Sequence, residues 1–213
     1  MPDTTPPATA SSSRFERRRA QTRQALVTAA RGILAETGES TASIQEIAER
    51  ADVGFGSFYN HFETKTALFD AAVADALDDY GQLIDDVTGH IEDPAELFAA
   101  SVRLTLRLAA LHPEITQILR LRGLQHIYSD TGLGPRALRD LVKGRESGRF
   151  SIDDPAIALS AVGGAVIGLL QLNTVTSLDA RAGDQMAELV LRMLGLPPAE
   201  AREIAARPLP ELP

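Results

Sequence analysis

The 213-residue chain has no cysteine, which excludes disulfides and thiolate metal sites. Aromatic residues are only 5% of it, while alanine and leucine dominate, so composition favours helix over strand. No apolar run reaches the roughly 20 residues needed to span a bilayer. The longest, Ala156 to Leu170, is short and interrupted by Ser160. The first residues, Met1 to Ser13, are rich in Pro, Thr, Ser and Ala and lack the apolar segment of a secretion signal. A soluble cytoplasmic protein with no membrane partner is expected. There is no nucleophile–base signature, no phosphate loop and no histidine pair at metal-ligand spacing. Catalysis, cofactors and metals are therefore not expected.

What is present is a hydrophobic content of 44%, ample for a packed core, and a formal net charge of -8. That sign opposes nucleic acid, but the distribution does not. Arg14, Arg17, Arg18, Arg19 and Arg23 lie together, opposed only by Glu16, while Asp75, Asp78, Asp79, Asp85 and Asp86 come later. A basic arm on an acidic body can bind DNA because the local face decides. The later aspartates read as a solvated helix face.

Residues 1–13 read as a disordered tail. From about Ala20 a helical face appears, with Leu26, Ala29, Ala30, Ile33 and Leu34 at helical spacing and a stop at Gly38. Ser43 with Glu46 three residues on forms a capping box that opens a short helix to Ala51. Asp52, Val53 and Gly54 form a turn, and a second short helix runs from Phe55 to His61. Thr64 then caps a long helix to Val87 with a sustained apolar stripe. Further helices are predicted from Pro94 to Leu111, Pro113 to Leu121, Leu133 to Ser147, Pro155 to Asn173, Ala182 to Leu194 and Pro198 to Ala206. The fold class is all-α.

Two short helices joined by a tight turn make a helix-turn-helix, whose second helix fits a major groove. Phe58 and Phe62 anchor that helix, leaving Phe55, Ser57, Tyr59, Asn60 and His61 as candidates for its outer side. The run Ala29-Ala30, Ile33-Leu34, Gly38, Ser43, Ile47-Ala48, Ala51, Val53, Phe58-Tyr59, His61-Phe62, Lys65 and Leu68-Phe69 resembles the DNA-binding domain of TetR-type regulators. The resemblance covers about the first third of the chain. It implies that Ser43 caps its helix against a phosphate and that Gln45 lies near the groove. It also implies that Phe55 and Ser57 take base- or backbone-contacting positions, and that Tyr59, His61 and Lys65 touch phosphates. Departures are Asp52 where glycine is usual, Gly54 for a Ser or Thr cap, and Phe55 for a commonly polar residue.

The resemblance further implies a homodimer on double-stranded operator DNA, with a small-molecule effector in the C-terminal helices. Domains are taken as 14–66 for DNA binding and 67–207 for ligand binding and dimerisation, with a Pro-rich tail at 208–213. Candidate pocket residues are Phe98, Leu104, Leu108, His112, Leu119, His126, Tyr128, Leu169 and Asn173. Candidate dimer residues are the small Ala161, Gly164, Ala165 and Gly168 with Met186, Leu189, Val190 and Met193. The expected function is a repressor released by a small apolar ligand. A ligand-independent repressor or activator on the same fold, or a helical interaction module that does not bind DNA, are the competing readings.

Overall fold

A computed structural model of the chain describes residues 9–37, 42–111, 113–179 and 181–211. The stops expected at Gly38 and His112, and most of the expected tail, lie outside these residues. The described residues form ten helices and no strand. The chain divides into two compact units, Met1–Ala72 and Val73–Pro213, and the division falls inside the fourth helix.

The first unit holds α1 (Thr9–Thr37), α2 (Ile44–Arg50), α3 (Phe55–Tyr59) and the start of α4 (Lys65–Thr88). Helix α1 begins well before Ala20. The segment Arg14 to Arg23 is built largely of arginine, alanine, glutamine and glutamate, all good helix formers, so it continues the helix that Leu26, Ala30 and Ile33 anchor in the core. The expected capping box is present: the Ser43 hydroxyl accepts from the Glu46 N–H at 3.2 Å, and the Glu46 carboxylate accepts from the Ser43 N–H at 2.6 Å. The turn after α2 places Asp52 at φ 53, a left-handed conformation that a short acidic side chain tolerates. There the Val53 N–H donates back to the Ala48 carbonyl at 3.0 Å. Ile47, Ala48, Phe58, Phe62, Leu68 and Phe69 close the core beneath it. Thr64 caps α4 by accepting from the Ala67 N–H at 3.0 Å.

The second unit contains the rest of α4 with α5 (Pro94–Leu111), α6 (Pro113–His126), α7 (Leu133–Glu146), α8 (Pro155–Leu172), α9 (Ala182–Met193) and α10 (Pro198–Ala205). Helix α6 runs past Leu121, so His126 is its last residue and not part of an irregular segment. Helix α5 packs on α7 and α9, α9 on α10, and α8 on α6 and α7. The core gathers Phe98, Leu141, Phe150, Leu159, Val190 and Leu191, with Phe98 and Phe150 edge to face at 5.9 Å. Among the described residues α8 alone is long and apolar enough to cross a membrane, with mean hydropathy 1.8. One side of it is buried against α6 and α7, while Ile157, Ala161 and Gly168 are exposed on another.

Glycine is required where α7 starts. A Cβ at Gly134 would sit 2.0 Å from the Ile127 carbonyl oxygen, a backbone atom that cannot step aside. Gly134→Ala should therefore cost the second unit about 1–3 kcal/mol in denaturant unfolding. Gly183→Ala, where a Cβ meets nothing within 4 Å, should raise stability by about 0.4–1 kcal/mol.

Candidate nucleic-acid interface and effector cavity

On the first unit, Phe55, Tyr59 and Asn60 are exposed, as are Arg14, Arg17, Arg18 and Arg19, while Ser57 and His61 are half-buried. The arginines stand on a helix and not on a loose arm. Phe15, Arg18, Arg19 and Thr22, one face of α1 by their spacing, meet Ser57, Asn60 and His61 across a cleft of about 460 Å³. Guanidiniums, hydroxyls, an amide and an imidazole converge there, a donor set that suits phosphate. Burial, with Arg19 and Arg23 nearby, pushes the His61 pKa down, so its imidazole is neutral at pH 7. Arg23 also lies over the Phe62 ring at 5.1 Å. Gln45 is exposed, but its amide donates to Glu49 at 3.0 Å. The Lys65 ammonium donates to the Ala42 carbonyl at 3.0 Å, which fixes it while leaving two further N–H groups.

The second unit holds a half-open cavity of about 120 Å³ walled by α4, α5, α6, α7 and α8. Most of its wall is apolar, including Leu77, Ile84, Val102, Ile127 and Val162. Of the expected pocket residues, Phe98, Leu119 and His126 line it. Leu104 and Leu108 are buried but do not: on α5 the lining positions are Phe98, Ser101, Val102 and Thr105, and helical phase turns Leu104 and Leu108 away. Leu169 and Asn173 line a separate open groove, Tyr128 is 64% exposed, and His112 lies outside the described residues.

One wall is charged, which periodicity along the chain did not reveal. Arg136 on α7 donates to Asp85 at 3.0 Å, to Asp78 at 2.7 Å and to the Gly132 carbonyl at 2.8 Å. Arg139 donates to Asp85 at 2.8 Å and to the buried Asp140 at 2.8 Å. The chain Asp78–Arg136–Asp85–Arg139–Asp140 thus ties α4 to α7, and Asp85, Arg136 and Asp140 face the cavity. Asp85 is thus turned to α7 and not to solvent, while Asp78 is paired but half exposed and Asp79 and Asp86 are exposed as expected. The Arg136 hydrogen bond and the Gly132 N–H hold Asp78 below the usual carboxylate range. Burial pushes Asp85 up, but Arg139 and Arg136 outweigh it and hold it low. A Cβ at Gly81 would meet the Arg136 side chain at 2.8 Å, so glycine there gives that arginine its path across α4. The available signal is Asp78 and Asp85 seven apart on one helix, matched by Arg136 and Arg139 three apart on another.

The candidate dimer residues divide. Ala161 and Gly168 are exposed, and a Cβ at Gly164 or Gly168 would meet nothing within 4 Å. Leu189 and Met193 are 51% and 49% exposed, and Ala165 and Met186 are half-buried. Val190 is fully buried within its own unit, so it cannot meet a partner; its place in the apolar stripe of α9 serves the core.

Comparison with known proteins places both units. The family described as bacterial regulatory proteins, tetR family, matches residues 26–72, and a tetracyclin repressor-like C-terminal domain matches residues 93–207. The crystal structure of RolR with the ligand resorcinol is 39% identical, with TM-score 0.79 over 93% of this chain and 100% of that one. RolR without ligand gives TM-score 0.76 at 38% identity, over 89% of this chain and 100% of that one. The transcriptional repressor KstR2 of Mycolicibacterium smegmatis is 31% identical over 86 residues, which span 38% of this chain and 42% of that repressor.

Two outcomes are expected. Because Asp78 and Asp85 titrate below their ordinary range, their contribution to stability is complete above that range and is lost as pH falls through it. Stability of the second unit should drop progressively below about pH 5, and Arg136→Gln should flatten that drop in acid-unfolding curves. In the first unit, replacing Arg18 and Arg19 by alanine should lower the salt slope of duplex binding by about 0.9 for each phosphate no longer neutralised. An unchanged slope would remove those arginines from the DNA backbone.

Proposed function

We propose that this chain, which belongs to the TetR family of bacterial regulatory proteins, is a dimeric repressor that a small neutral phenol releases from its operator. The family membership gives a transcription regulator with an N-terminal DNA-binding domain. The observation that carries the effector reading is the half-open cavity between helices with an apolar wall and one charged wall. Apolar cavities of about 150 Å³ accept a benzene ring. A cavity of about 120 Å³ is therefore matched to a single ring after a slight widening. The charged wall carries Asp85, Arg136 and Asp140, which supply acceptors and a donor for ring hydroxyls. Counting Asp78, Asp85 and Asp140 against Arg136 and Arg139, three carboxylates face two guanidiniums, so a ligand carboxylate would meet surplus negative charge. RolR, solved with resorcinol, a small ring of this kind, supports the reading.

The mechanism follows from population shift. A dimer presents two recognition helices about 34–36 Å apart, one per successive major groove. A ligand that prefers a form with a different spacing draws the population away from DNA. Helix α4 begins in the DNA-binding unit and carries Leu77, Gly81 and Asp85 on the cavity wall, so it is the element through which occupancy acts. The exposed small-residue face of α8 and the exposed Leu189 and Met193 of α9 form the dimer contact in this reading. The protein works in the cytoplasm on double-stranded DNA.

The test begins with a duplex selected by the protein from random DNA. Resorcinol should release it in fluorescence anisotropy, whereas 3-hydroxybenzoate should not. Gly163→Leu should bind the duplex normally and ignore resorcinol, because a Cβ at Gly163 already meets Ile127 on the cavity wall at 2.6 Å. A duplex that no single-ring phenol releases would favour the ligand-independent repressor.

A further inference from the structure

Helix α3 (Phe55–Tyr59) reads Phe-Gly-Ser-Phe-Tyr and carries none of the arginine, lysine, asparagine or glutamine side chains that make paired hydrogen bonds to guanine or adenine. The nearby residues do not make up the deficit. The Gln45 amide is engaged with Glu49, and Asn60 lines the arginine cleft beside Arg18 and Arg19. Phe58 is buried, and Ser57 also turns to the cleft. Gly54 and Gly56 flank Phe55 without side chains, and a Cβ at Gly56 would meet nothing within 4 Å. The outer side of α3 is thus left to two rings. Phe55 is 53% exposed and Tyr59 is 55% exposed. They meet edge to face with centroids 5.9 Å apart, and Tyr59 in turn stands edge-on to the buried Phe58 at 5.3 Å. Phe55 is therefore an apolar probe with bare backbone on both sides, steadied through Tyr59 on the core.

The major groove offers such a probe one apolar feature, the 5-methyl group of thymine. We propose that Phe55 is the sequence-determining residue of this protein and that it reads thymine methyl groups, with Tyr59 as the residue that positions it. This rests on the DNA-binding reading above. Hydrogen bonds to phosphate from the cleft set the register, and van der Waals contact with methyls selects the site. The preferred operator accordingly carries a thymine at the same step of each half-site.

Replacing thymine by uracil removes the methyl and leaves every hydrogen-bonding group in place. The probe is the duplex the protein selects from random DNA, remade with uracil at one thymine at a time. Affinity should fall about fourfold at the contacted thymine, the equivalent of one buried methylene, and about sixteenfold when both half-sites are changed. Phe55→Ala should bind thymine and uracil duplexes equally, while Phe55→Leu should keep part of the difference. Equal binding of thymine and uracil duplexes by the unaltered protein at every position would overturn the proposal while leaving DNA binding intact. If no duplex is enriched from random DNA, the DNA-binding reading falls and the proposal with it.

Discussion

A guanidinium inside a helical bundle is tolerable only where carboxylates meet it, and this requirement organises the second unit. Arg136 is mostly buried, so Asp78, Asp85 and the Gly132 carbonyl must converge on it. That convergence fixes the start of α7 against α4, and Gly81 must lack a side chain to let the arginine pass. Arg139 extends the chain to the buried Asp140. The same pairs that satisfy the charges leave three of them on a cavity wall, so in the proposed effector reading the stability requirement and the recognition chemistry would share residues. Truncating one partner would leave a buried charge without its complement, a larger loss than the pair itself contributes.

The first unit solves a different problem, which is to present a short helix with almost no core of its own. Helix α3 buries only Phe58, and its N-cap Gly54 supplies no side-chain bond. Its position comes from the left-handed turn at Asp52, from Phe62 beneath it, and from α2, whose capping box and Arg50 pairing with Glu36 hold it on α1. The helix is therefore free to carry an unusual outer side, because none of its outward residues is needed for the fold.

Most of the architecture is legible in the sequence because the helices announce their ends. Ser43 with Glu46, Thr64, and the Asp-Pro pairs before α5 and α8 each mark a start, and Gly148 and Gly195 mark stops with φ of 73° and 97°. The face pattern of α4 is also plain. What periodicity hides is which partner an element meets. Asp85 of α4 looks solvated until α7 is placed opposite it, and Val190 looks like interface until α9 is packed into its own unit. The pocket is obscured for the same reason. Leu104 and Leu108 are as apolar as Val102, but a rotation of the helix by a few residues decides which side chains reach the cavity. The full length of α1 is hidden because a serine-rich, arginine-rich segment reads as a tail until its downstream anchor in the core is taken into account.

The central claim is that a phenol in the second-unit cavity and an operator on the first unit exclude each other. Thermodynamic linkage makes this measurable without knowing the path between the sites, since each ligand must weaken the other by the same factor. Isothermal titration of resorcinol into the protein alone, and into the protein saturated with its selected duplex, tests it directly. The account predicts one site per chain and a weaker affinity in the DNA complex, by the factor with which resorcinol weakens the duplex. Equal affinity with and without DNA would contradict it.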